Sequence, residues 1–76
     1  MSKETTIRLL RMAFSLLKGP NPGPIGQSVV RDLYDLIEEQ APKAISFHMV
    51  EARRAGLSRL QSLEYIERML HLGITA

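Results

Sequence analysis

Gly56, Leu57 and Ser58 separate two stretches whose apolar residues are spaced as in helices. Gln61 follows Ser58 by three residues. This pair is the signature of a capping box, in which each side chain accepts a hydrogen bond from the backbone of the other residue. Gly56 follows Ala55 and ends the preceding stretch. The junction therefore predicts two helices joined by a tight turn.

The chain is short and contains no cysteine. Its 76 residues make one domain at most, and a chain of this length buries a modest fraction of its surface when it folds. Without cysteine it forms neither a disulfide nor a zinc site of the cysteine-rich kind. Burial between subunits is the remaining way to enlarge the core, so we consider a homodimer as one assembly.

Helical spacing and stop signals divide the chain into four segments. We predict an all-α fold with helices near residues 3–18, 27–40, 42–55 and 58–72. Residues 19–26 are rich in glycine and proline, and we interpret them as a stiff, extended connector. A short strand at 45–49 would have no second strand to pair with. The expected structure is a small four-helix domain, completed by a second copy if the chain is a homodimer.

The first segment has apolar residues around more than half of its circumference when it is drawn at about 100° per residue. Its polar strip consists of Glu4, Arg8, Arg11, Ser15 and Lys18. Such a helix is either central in its own bundle or shared with a second copy. The order Lys18, Gly19, Pro20 then predicts a helix end at which the glycine adopts the left-handed conformation.

Two further segments have an amphipathic pattern. In the second, we assign to the core Val29, Val30, Leu33, Tyr34, Leu36 and Ile37. In the fourth, we assign to the core Leu63, Ile66, Met69 and Leu70, with Leu60 at its edge. Arg31 and Asp35 are four residues apart, which is the spacing of an ion pair on a helix. We expect residues 74–76 to fray.

The third segment has apolar residues on two sides. The side that we expect to face the core consists of Ala44, Ile45, Met49 and Ala52. The other side is a stripe spaced by four, three and four residues: Lys43, Phe47, Val50 and Arg54. Exposed apolar residues flanked by cations are typical of contact surfaces. We predict that this stripe, together with Arg53, binds a protein partner or a second copy. The alternative is a helix buried on both sides, with its basic stems reaching water.

The segment from Ala52 to Ser58 resembles the turn of helix-turn-helix DNA-binding proteins. Ala52 precedes Gly56 by four positions, and an apolar residue and a serine follow the glycine. The resemblance implies a small DNA-binding transcriptional regulator. It places near the DNA Arg53, Arg54, Arg59, Gln61 and Ser62. Because Glu51 and Ser62 stand where the family pattern has apolar residues, we rank this function as the alternative.

The charge pattern does not indicate a broad nucleic-acid surface. The net charge is only +2, and basic and acidic stretches alternate along the chain, which favours pairing between neighbouring helices or subunits. His48 and Glu51 have the spacing of two metal ligands on adjacent helical turns, but the chain has no second such pair. We predict no catalytic residue, no metal, no cofactor and no small-molecule substrate.

The pattern of apolar residues also bears on localisation. Arg8 and Arg11 interrupt the longest apolar stretch near the start, so we predict neither a signal peptide nor a membrane span. The protein is expected to be cytoplasmic. The function that we predict is a small, non-enzymatic helical interaction module that binds a macromolecular partner, in the first place a protein, and modulates it.

Overall fold

The computed structural model describes residues 1–20 and 23–75, and within these ranges the chain forms four α-helices. These are α1, Lys3–Lys18; α2, Gly23–Gln40; α3, Lys43–Arg54; and α4, Arg59–Leu70. The prediction of an all-α domain with four helices is confirmed. No helix in the described ranges is long and apolar enough to cross a membrane.

The turn between α3 and α4 has the predicted local structure. Ser58 Oγ accepts from the Gln61 backbone N–H at 3.1 Å, and the Gln61 side chain accepts from the Ser58 N–H at 2.9 Å, which completes the capping box. Gly56 adopts a φ of 81°. Its N–H donates to the Arg53 carbonyl, and the Leu57 N–H donates to the Ala52 carbonyl. These two bonds form a Schellman motif, which uses carbonyls that the end of α3 would otherwise leave unpaired.

The beginning of α2 differs from the prediction. The predicted connector covered 19–26, but α2 begins at Gly23, and Asn21 and Pro22 lie outside the described residues. Pro24 is tolerated in the first helical turn because an N–H at that position would have no partner within the helix. The end of α1 also differs, since Gly19 has a φ of −71° and is extended instead of left-handed.

The core lies where the four helices meet. Each helix contacts the next one along the chain, and α4 also contacts α1, which closes the bundle. The buried cluster consists of Leu10, Ala13, Tyr34, Ile37, Ile45, Met49, Leu63, Ile66 and Ile74. Ala44 and Met69, which we assigned to the core, are exposed. On α4 the buried side includes Ser62, whose hydroxyl donates to the Ser58 carbonyl at 2.8 Å and is thereby satisfied inside the protein.

The tail after α4 was expected to fray, and this prediction is wrong up to residue 75. Ile74 is only 2% exposed and belongs to the core cluster. Its N–H donates to the Glu67 carboxylate, and the Arg11 guanidinium donates to the Gly73 carbonyl at 2.9 Å. Partial burial raises the pKa of Glu67. Hydrogen bonds from the tail backbone and the charge of nearby His71 lower the pKa by a larger amount, so the net shift is downward. The carboxylate therefore favours the docked tail in its ionised form.

A basic and apolar edge as the candidate functional site

One side of α3 faces the core and the opposite side faces outward. Ile45 and Met49 are buried, whereas Phe47 is 60% exposed. A separation of two residues corresponds to about 200° on a helix, so the Phe47 ring points away from both neighbours. The predicted stripe on this outer side is present: Lys43, Phe47, Val50 and Arg54. We refer to these four residues as the α3 edge.

Phe47 is the outermost of three aromatic rings that contact one another edge-on, and a carboxylate links the other two. The Phe47 ring meets the His48 ring edge-on, with 5.4 Å between centroids, and His48 meets Tyr65 of α4 in the same way at 6.0 Å. Glu51 Oε1 lies 3.2 Å from His48 Nδ1 and accepts from the Tyr65 hydroxyl at 3.4 Å. Desolvation and the Glu51 carboxylate raise the pKa of Tyr65, which keeps the hydroxyl available as a donor. The exposed Phe47 ring therefore rests against a side chain, His48, that is itself held by Glu51 and Tyr65.

The three cations at this surface differ in the contacts that they make. Arg53 pairs with Glu38 of α2 at 2.9 Å, so this residue ties α3 to α2. Lys43 and Arg54 are exposed, and neither forms an ion pair within the described part of the chain. Val50 is half-buried and lines a cleft towards the acids of α2. Of the five predicted contact residues, Lys43, Phe47 and Arg54 are thus the most open to a partner.

The predicted DNA contacts are largely engaged within the domain. Arg59 donates to both carboxylate oxygens of Asp35, at 3.1 and 3.3 Å. Asp35 is therefore paired with Arg59 and not with Arg31, its predicted partner. Gln61 belongs to the capping box, and Ser62 is buried. Because Arg53 pairs with Glu38, Arg54 is the one predicted DNA contact that keeps an exposed side chain with no bond in the described ranges.

An acidic and apolar surface on α2 was missed. Val29 and Leu36, assigned to the core, are 58% and 49% exposed, and Ile25 is 82% exposed. Asp32 lies between them, and Glu39 follows Leu36 by three residues; both are exposed. The spacing of Ile25, Val29, Asp32 and Leu36 by four, three and four residues was visible in the sequence. A charged residue inside this series is the signal that could have identified it as an outer surface.

The clefts of the domain are lined by apolar residues in one place and by ion-paired residues in another. A cavity of about 460 Å³ lies between the end of α1 and the starts of α2 and α4, with Leu16, Val30 and Leu60 in its wall. Asp35 and Glu38 line a different cleft, beside the arginines with which they pair. Within residues 1–20 and 23–75, no three acidic or histidine side chains cluster as metal ligands do.

Comparison of this chain with protein-family models, with curated proteins and with solved structures finds no match. Two features of the surface of the domain are exposed. One is the α3 edge with its two cations, and the other is the α2 surface with Glu39 and with Asp32, which pairs with Arg31 of the same helix at 3.8 Å.

Proposed function

We propose that this protein is a non-enzymatic helical interaction module, which binds a protein partner through the α3 edge and modulates it. The single observation that carries the proposal is the exposed Phe47 ring between Lys43 and Arg54. Covering an exposed phenylalanine ring with a partner removes apolar surface from water and so lowers the free energy of the complex. The position of the ring on a helix, beside His48, reduces the entropy that binding would cost.

The α3 edge also indicates the chemistry of the partner. An apolar pocket would take the Phe47 ring, and carboxylates at its rim would face Lys43 and Arg54. In such an interface the central aromatic residue supplies most of the affinity, whereas charges at the rim mainly supply orientation and a faster encounter. The expected partner is therefore a protein surface with an apolar pocket and an acidic rim.

Replacing Phe47 by alanine is expected to weaken binding to this partner by about tenfold or more, since truncating a central aromatic residue commonly costs about 2 kcal/mol. Photo-crosslinking from position 47 in an extract of the source cells identifies the candidate. Calorimetry with the purified partner then compares the wild-type protein with Phe47→Ala.

Met69→Ala is the matched control, because Met69 is an exposed apolar residue on α4, outside the α3 edge. The proposal requires a large loss for Phe47→Ala and little change for Met69→Ala. Equal affinity of Phe47→Ala and the wild-type protein would refute it, provided that circular dichroism shows both variants folded.

The alternative function, a DNA-binding regulator, has weaker geometric support. Arg59 would have to leave Asp35 to reach a phosphate, and the Ser62 hydroxyl is directed to the Ser58 carbonyl inside the domain. Glu64 is exposed on the same helix and would repel the backbone of DNA. The geometry therefore favours a protein partner.

We expect no saturable binding of the protein to labelled duplex DNA at low salt. The measurement is fluorescence anisotropy at increasing salt, because phosphate contacts make affinity fall steeply with salt concentration. Arg54→Glu serves as the comparison variant. Binding that weakens with salt and is further reduced by Arg54→Glu would favour the regulator over the protein-binding module.

A further inference from the structure

The outer surfaces of α2 and α3 have the same spacing. On α2, Ile25, Val29, Asp32 and Leu36 follow one another at intervals of four, three and four residues, and the four residues of the α3 edge do the same. We refer to the four α2 residues as the α2 stripe. Alternating intervals of three and four are those at which two helices pack side by side. Both rows extend over about 16 Å at 1.5 Å per residue, so their lengths match.

The two rows lie on different helices, and Val50 of the α3 edge lines the same cleft as Glu39 of α2. Glu38 and Asp35 mark the side of α2 that faces α3 and α4, because they pair with Arg53 and Arg59. Leu36 precedes Glu38 by two residues and so points about 160° away from it. The α2 stripe and the α3 edge thus share no residue, and one domain presents both at the same time.

Their charges are opposite. The α2 stripe contains Asp32, which stays exposed beside its partner Arg31 at 3.8 Å, and it is followed by Glu39. The α3 edge has Lys43 at one end and Arg54 at the other. If the two rows pair in parallel, Arg54 lies opposite Leu36, within one turn of Asp32 and of Glu39. If they pair antiparallel, Lys43 takes that position. Either direction brings a cation to the two carboxylates. Val29 lies opposite Phe47 in the parallel register and opposite Val50 in the antiparallel one. In both registers the aliphatic stems of Lys43 and Arg54 cover Ile25 and Leu36.

We infer that the partner of the α3 edge is a second copy of this chain, which docks its α2 stripe there. This inference rests on the proposed function, because it names the occupant of the same edge. The expected partner was a surface with apolar residues and carboxylates, and the α2 stripe has both. Each exposed apolar side chain in this contact is covered by the other copy, which adds burial that a chain of 76 residues otherwise lacks.

Different surfaces of the two copies meet in this contact. In a two-fold dimer each copy places its α2 stripe on the α3 edge of the other, whereas a head-to-tail contact leaves an unused α2 stripe at one end and an unused α3 edge at the other. Head-to-tail contacts generate a closed ring or an open chain of subunits. A sedimentation coefficient that stops rising at two copies indicates the two-fold dimer, and one that rises further indicates the head-to-tail assembly.

Charge reversal on each surface tests this inference. One variant carries Asp32→Lys with Glu39→Lys, and the other carries Lys43→Glu with Arg54→Glu. All four residues are exposed, and circular dichroism checks that both variants fold. Sedimentation velocity from about 1 µM to about 1 mM covers the affinities of weak and moderate contacts. We expect the wild-type sedimentation coefficient to rise over this range and each variant alone to associate at least about tenfold more weakly.

An equimolar mixture of the two variants is the decisive sample. Its basic α2 stripes meet acidic α3 edges, and its unchanged surfaces also match, so the mixture is expected to associate like the wild-type protein. A mixture that stays monomeric would overturn the contact between the α2 stripe and the α3 edge. So would variants that each associate as strongly as the wild-type protein.

The direction of pairing follows from the single reversals. A larger loss for Arg54→Glu than for Lys43→Glu indicates parallel pairing, and the opposite order indicates antiparallel pairing. A wild-type protein that remains monomeric at about 1 mM overturns self-association; in that case a Phe47-dependent interaction with a different protein would still support the proposed function. Association that is unchanged in Phe47→Ala shows instead that the α3 edge is not the contact.

Discussion

Replacing Met49 by alanine is expected to lower the free energy of unfolding by about 2 to 5 kcal/mol, whereas Phe47→Ala should lower it by no more than about 1 kcal/mol. Met49 is fully buried between the helices, and its truncation leaves a cavity in the core. Phe47 is mainly exposed and loses chiefly its edge-on contact with His48. Urea denaturation followed by circular dichroism measures both values.

The order of the two effects is the sharper test, because it reports which side of α3 faces the core. A domain of this size has a total stability of about 5 to 10 kcal/mol, so Met49→Ala removes a large part of it. Met49→Leu, which keeps the volume, is the control and should cost less than about 1.5 kcal/mol. A larger loss for Phe47→Ala than for Met49→Ala would place the ring inside the core and would remove the α3 edge.

The sequence predicted which side of α3 faces the core. Ile45, Met49 and Ala52 form the buried side as expected. Ala44 is exposed because it lies about 100° from Ile45, at the border of that side. Periodicity alone leaves two apolar sides on this helix. The basic residues at both ends of the other side indicated which one faces water.

The outer surface of α2 could not be assigned by hydrophobicity alone. Val29 and Leu36 lie on the same broad apolar side as Leu33 and Ile37, and the pattern did not show how much of that side its neighbours cover. Packing decides this, since α2 contacts α1 and α3. The sequence therefore predicted that α2 is amphipathic, but it did not reveal the α2 stripe.

The breadth of the apolar surface on α1 had two explanations, a central position or a second copy. In the structure α1 contacts α2 and α4 and buries Leu10 and Ala13, but Met12 and Leu16 remain partly exposed. The apolar surface is thus wider than this bundle uses. Homodimer formation through α1 stays a prediction, separate from the proposed contact between the α2 stripe and the α3 edge.

The tail could not be predicted because its partners are distant in the sequence. Arg11 is 62 residues from Gly73, and no local pattern brings these residues together. His71 and Gly73 both have positive φ values, 52° and 78°, and these turns return the chain towards α1. Once the chain turns back, Ile74 reaches the core and the Glu67 carboxylate accepts from its backbone.

Replacing Ile74 by alanine is therefore expected to lower the free energy of unfolding by about 2 to 4 kcal/mol, as the loss of a buried isoleucine does. A frayed tail would predict almost no change, because alanine in place of an exposed side chain costs about 0.5 kcal/mol or less. Ile25→Ala is the matched control, since it removes the same atoms from a side chain that is 82% exposed. Urea denaturation at low protein concentration, at which any self-association is absent, compares the two variants. Equal midpoints for Ile74→Ala and Ile25→Ala would show that the tail is undocked, whereas a selective loss for Ile74→Ala makes residue 74 part of the core that positions α1 and α4.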